Sequence, residues 1–145
     1  MKVLENHSIE NSLQIKSLSK FYIELQNKND FYDLHKFLLK NNLPILVIGE
    51  CTNIVLPNFF NGIVVKPLFN NLNIKNTFVS VGASVGWHEF VLNMIDKDIY
   101  GFENLSLIPG SVGAAPIQNI GAYGQDVSKL IKQVDCFDYE EGKFI

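Results

Sequence analysis

Cysteine, tryptophan and basic charge are all scarce in this sequence of 145 residues, which carries two cysteines, one tryptophan and a formal net charge of -3. Cys51 and Cys136 lie far apart and match no metal-ligand spacing, so they read as free thiols in a reducing compartment. The acidic balance argues against nucleic acid, because proteins that grip a phosphate backbone carry a basic surface. It leaves room for a small phosphate-bearing ligand, which main-chain N–H groups can hold without any lysine. No apolar run approaches the roughly 20 residues of a membrane span. The start, Met1-Lys2-Val3-Leu4-Glu5-Asn6-His7, lacks the apolar core and small-residue cleavage site of a signal peptide. The expected protein is cytoplasmic and monomeric, with neither a membrane nor a nucleic-acid partner.

What remains is globular in character. Hydrophobic residues make up 47% and aromatics 12%, enough for one compact domain with its own core. Lys20–Leu25 reads as a strand. A helix follows to about Asn41, with Asn29-Asp30 as its cap and Phe31, Leu34, Phe37 and Leu38 at helical spacing. Ile45-Leu46-Val47-Ile48 is a continuous apolar run, the mark of a strand covered on both faces. Ile54-Val55-Leu56, residues 62–66 and residues 77–82 are further strand candidates, with turns at Pro57-Asn58 and Asn61-Gly62. Trp87 to Asp96 is an amphipathic helix. Gln133–Tyr139 alternates as a strand, and Glu141-Gly142 turns it. This order predicts an α+β (mixed α/β) fold rather than a regular βαβ repeat. The end, a turn leading into a returning strand, reads as the edge of a piece of a longer protein.

Two segments carry chemistry. Gly49-Glu50-Cys51-Thr52-Asn53 is a sharp turn directly after an apolar strand, with glycine for close approach and short polar side chains near its N–H groups. It reads either as an ordinary tight turn or as an anion nest. The second runs from Leu107 to Gly124, where Gly110, Gly113, Gly121 and Gly124 are interleaved with small residues. A flat ligand could lie against such a main chain, oriented by Ser111, Gln118, Asn119 and Tyr123. Long loops inside compact domains are usually functional. Neither segment matches the dinucleotide or Walker phosphate motifs.

Taken together, Gly49–Asn53, Val81-Gly82-Ala83, Trp87-His88, Gly101-Phe102-Glu103-Asn104-Leu105 and Ile108–Gly124 resemble the UDP-N-acetylenolpyruvoylglucosamine reductases of peptidoglycan synthesis. Asn6-His7-Ser8 is also similar to that family's start. The resemblance implies a vanillyl-alcohol-oxidase/PCMH-type FAD-binding domain made of two small subdomains, over residues 17–145 after a lead-in at 1–16. It implies non-covalent FAD, with the diphosphate on Gly49, Glu50, Cys51, Thr52 and Asn53. The loop would line the flavin and the rest of the phosphate path through Pro109, Ser111, Gly113, Ala114, Ala115, Ile117, Gln118, Asn119, Gly121, Tyr123 and Gly124. NADPH would be the hydride donor and a UDP-sugar the substrate. The family's arginine, serine and glutamate catalytic motifs fall after residue 145, so no catalytic residue is assigned in this chain and the substrate domain is absent.

Two departures from the family pattern stand out. Cys51 replaces a glycine, and Asn11-Ser12-Leu13 replaces Asn-Thr-Phe. If position 51 needs a positive φ, its Cβ costs about 1–2 kcal/mol. Trp87 is expected to pack in the core, His88 to cap or face solvent, and His7 and His35 to be exposed. Rival readings are the FAD domain of another oxidoreductase of this fold, and a non-catalytic remnant.

Overall fold

Strand alternation shapes the first part of the chain. In the computed structural model, which describes residues 1–145, Lys2–Ser8 (β1), Leu18–Leu25 (β2), Ile45–Val47 (β3) and Phe59–Pro67 (β4) form one sheet in the order β1-β2-β4-β3. β1 is antiparallel to β2, whereas β4 runs parallel to both β2 and β3. The central run is Ile63-Val64-Val65 of β4, buried on both faces. The doubly covered strand expected at Ile45–Ile48 is instead an edge strand, with Val47 61% exposed. The expected turn at Asn61-Gly62 lies inside β4. There Gly62 is needed because a Cβ would come within 2.5 Å of the Pro44 carbonyl oxygen.

Asn29–Lys40 (α1) packs on one sheet face, where Phe37 meets Phe21 edge-on at 5.3 Å. Its start differs from the expected Asn29-Asp30 cap. The Asn27 side chain accepts the N–H groups of Asn29 and Asp30, while the Asp30 carboxylate accepts those of Gln26 and Asn27, a reciprocal capping arrangement. The N-terminal ammonium also meets Asp30 at 2.5 Å. Burial alone would raise the Asp30 carboxyl, but these donors outweigh it and hold the group below the usual carboxylate range. Tyr22 and Val64 point to the opposite face, where Ile9, Ile48, Cys51 and Leu56 cover them. The segment Ile54–Leu56 is a loop rather than the expected strand, with Leu56 buried and Val55 exposed.

These elements belong to one compact unit, residues 1–68 with 134–145, and residues 69–133 form a second. In the second, Leu72–Lys75 (β5) and Phe78–Val81 (β6) make a hairpin whose turn places Asn76 at positive φ. Trp87–Ile95 (α2) turns Trp87, Phe90, Val91 and Met94 into a core shared with Leu105, Ala115, Ile120 and Val127. The Trp87 ring N–H donates to the Leu105 carbonyl at 2.7 Å, which confirms Trp87 as a packing residue. Ala115–Gln118 (α3) is a single turn, followed by the two-residue strands Gly121–Ala122 (β7) and Gln125–Asp126 (β8). Back in the first unit, Phe137–Asp138 (β9) and Lys143–Phe144 (β10) form a hairpin around Gly142, shorter than the strand expected over residues 133–139.

Candidate functional site

The turn after β3 is held from a distance. Both the N–H and the hydroxyl of Ser12 donate to the Cys51 carbonyl, each at 3.2 Å. Asn11 shapes the segment that carries Ser12. Its side chain donates to the Ile9 and Ile15 carbonyls and accepts the Ile15 N–H. The motif Asn11-Ser12-Leu13 therefore acts as a clamp on residue 51, a role with no local signal because 39 positions separate the partners. Cys51 has φ 52°, the left-handed region, and its side chain is only 6% exposed. Burial pushes the thiol upward, opposed by the positive charge of Lys66. The N–H groups of Gly49, Glu50, Cys51 and Thr52 donate to no protein acceptor. Unspent donors in a turn that departs from ordinary φ suit an oxyanion such as a phosphate.

The glycine-rich loop is zipped to the segment before α2. Trp87 N–H donates to the Gly110 carbonyl at 2.8 Å, Val112 N–H to Val85 at 2.9 Å, and Gly113 N–H to Ala83 at 2.9 Å. A Cβ on Gly113 would sit 2.7 Å from the Ala83 Cβ, so glycine is required there. Ser111 lies at the centre of this zipper, 2% exposed, and its hydroxyl has no hydrogen-bond partner. An orphaned buried hydroxyl is costly and calls for an acceptor or donor from outside the chain.

Further along, the expected site residues divide by environment. Ala115 is in the core, and Ala114 is half-buried before α3. Pro109, Gly113, Ile117, Gln118 and Gly121 are exposed. Asn119 ends α3 at φ 43°, and its side-chain oxygen accepts the Ser128 N–H, so it is committed to the fold. Tyr123 and Gly124 are the two central residues of the β7–β8 turn, at φ 52° and 77°. Positive φ at both suits a tight hairpin, but a tyrosine there is unusual. Its ring is 91% exposed. Lys129 steadies the turn through the Gly124 carbonyl at 3.3 Å and Asp126 at 3.3 Å.

The histidines are less free than expected. His7 packs against Tyr22 with the rings tilted and their centroids 4.9 Å apart, and His35 bonds the Tyr139 carbonyl at 2.8 Å. His88 accepts the Leu107 N–H on Nδ1 at 3.2 Å, which leaves its Nε2 to carry the proton.

The first unit thus carries a turn of unspent amides, and the second a glycine-rich, zipped loop with an orphan hydroxyl, each of them able to meet a ligand through main chain rather than bulky side chains. Residues 19–145 match the family model described as FAD binding domain, and the chain belongs to that family. Among the curated relatives, it is 38% identical over 152 residues to the UDP-N-acetylenolpyruvoylglucosamine reductase of Bdellovibrio bacteriovorus, covering 99% of this chain and 45% of the relative. The reductase of that name from Salmonella typhimurium is 32% identical over 94% of this chain and 42% of its own length. That of a Shewanella species is 39% identical over 85% and 37%. The chain thus spans less than half the length of these relatives.

Proposed function

We propose that this chain is the FAD-binding portion of a reductase that converts UDP-N-acetylenolpyruvoylglucosamine to UDP-N-acetylmuramate in peptidoglycan synthesis. The observation that carries this reading is the likeness to the reductases named above, which runs through both ligand-competent segments. Residues 17–145 act as the PCMH-type domain. In this reading the amides of Gly49, Glu50, Cys51, Thr52 and Asn53 receive the FAD diphosphate. Pro109, Ser111, Gly113, Ala114, Ala115, Ile117, Gln118, Asn119, Gly121, Tyr123 and Gly124 form the loop that lines the flavin.

When bound, FAD would supply the hydride-transfer chemistry between NADPH and the enolpyruvyl double bond. The chain's own residues bind and orient it. The turn supplies N–H donors without side-chain bulk, and the close approach of Gly113 to Ala83 keeps the loop flat. The Ser111 hydroxyl has no other partner and is free to bond the cofactor. The complete protein works on nucleotide sugars in the cytoplasm as a monomer.

The test is a titration of FAD with purified protein. One FAD per chain, with flavin fluorescence quenched and no covalent attachment after denaturation, supports the reading. Absence of quenching at excess protein rejects it.

A further inference from the structure

Lys66 differs from every other cation in the chain. The sequence has no arginine and twelve lysines. Eleven of these lysines are exposed, and Lys66 alone is half-buried. It lies on β4 two residues beyond Val64, on the sheet face that Cys51 covers. Glu24 stands opposite Lys66 in the ladder, yet its carboxylate pairs with Lys2 on its other side at 3.2 Å. The Lys66 ammonium is left without a carboxylate partner.

Lys66 lines a cavity of about 250 Å³ together with His7, Glu10, Tyr22 and Glu24. Tyr22 is a wall of this cavity and packs in the same cluster as Cys51, so cavity and turn are neighbours. Burial pushes the Tyr22 phenol up to about 12, so it stays a neutral hydrogen-bonding group at any physiological pH. The β3–β4 ladder pairs Val47 with Val65 and continues through the Ile48 N–H to the Val65 carbonyl at 2.9 Å, which sets the start of the turn beside Lys66. Glu10 is the one uncompensated carboxylate here, and it is exposed, where solvent screens it.

We infer that Lys66 is the fixed cation of an anion site whose hydrogen-bond donors are the Gly49–Thr52 amides, and that its ligand is a nucleotide diphosphate. The inference rests on the proposed function and adds a binding residue to it. A lysine with no carboxylate partner can give its N–H donors to an arriving diphosphate in charge-assisted hydrogen bonds. The amides supply shape, and Lys66 supplies charge.

The experiment compares wild type, Lys66→Met and Lys66→Arg in titrations with FAD, ADP and riboflavin, at about 50 mM and about 500 mM salt. Lys66→Met is expected to weaken FAD and ADP alike, by about tenfold at low salt. The gap should narrow at high salt, because the lost interaction is ionic. Riboflavin, which has no phosphate, should bind all three proteins equally, and Lys66→Arg should stay near wild type. Equal FAD affinity of wild type and a folded Lys66→Met at low salt overturns the inference and leaves the proposed function standing. Should the Met variant unfold, Lys66→Gln takes its place under the same criterion. A wild type that binds no FAD overturns both.

Discussion

Replacing Cys51 tests the strained turn directly, because glycine and alanine should rank there in reverse of their usual order. The wild-type residue holds φ 52° and buries its side chain. Glycine relieves left-handed strain of about 1–2 kcal/mol. It gives up burial of a CH2–SH group, about 1 kcal/mol, and adds unfolded-state entropy of about 0.5–1 kcal/mol. Cys51→Gly should therefore lie within about 1 kcal/mol of wild type. Alanine keeps the strain and its own Cβ and loses only the SH group, so the strain less the entropy and Cβ terms leaves Cys51→Ala about 0.5 kcal/mol below the glycine variant. For a chain of this size that corresponds to roughly 2 °C in Tm. Urea denaturation followed by circular dichroism, with a parallel thermal melt, measures both variants. If Cys51→Ala proves as stable as Cys51→Gly, residue 51 does not sit in the left-handed region in solution and the strain argument fails.

Three further outcomes follow from other parts of the molecule. Ser111→Ala should leave the melting temperature unchanged or slightly raised, since the hydroxyl has no partner in the protein, while FAD affinity drops by about tenfold. A clear loss of stability would mean that the hydroxyl is bonded internally. Gly113→Ala should cost about 1–3 kcal/mol by overpacking against Ala83, and an unchanged denaturation midpoint would show that the loop is not zipped there. Asp30→Asn should destabilise by about 1–3 kcal/mol at neutral pH, by leaving the ammonium and N–H donors poorly matched. The Asp30 carboxyl titrates lower in the folded chain than in the unfolded one, so its contribution is fully present above the unfolded pKa and lost as pH falls through the folded one. The stability gap between wild type and Asp30→Asn should stay constant between about pH 5 and about pH 7 and close below about pH 4. A gap that persists in acid would exclude the charged carboxylate as its source.

The elements that could be read from the sequence were those whose pattern is local. α1 and α2 follow apolar spacing, and each lies within a residue or two of expectation. β2, the core of β4 and β6 announce themselves by branched and aromatic residues. β1 escaped notice because Lys2–Ser8 is largely polar and exposed, and its strand character comes from pairing with β2. β5 is equally exposed and exists through β6. Ile54–Leu56 looked like a strand because β-branched residues also suit a loop that drops one side chain, Leu56, into the core.

The candidate site shows the same division. Glycine spacing exposed the turn and the loop. The clamp from Ser12, the orphan state of Ser111 and the position of Lys66 depend on contacts between residues far apart in the chain, and no periodicity carries them.

Amide hydrogen exchange with and without FAD addresses the binding account at its root. The N–H groups of Gly49 to Thr52 have no acceptor in the protein and should exchange rapidly in its absence. Addition of saturating FAD should slow exchange in peptides spanning Gly49–Asn53 and Ser111–Gly124 while leaving α1 unaffected. Bound FAD with unchanged exchange across Gly49–Asn53 would contradict the claim that those main-chain amides hold the diphosphate.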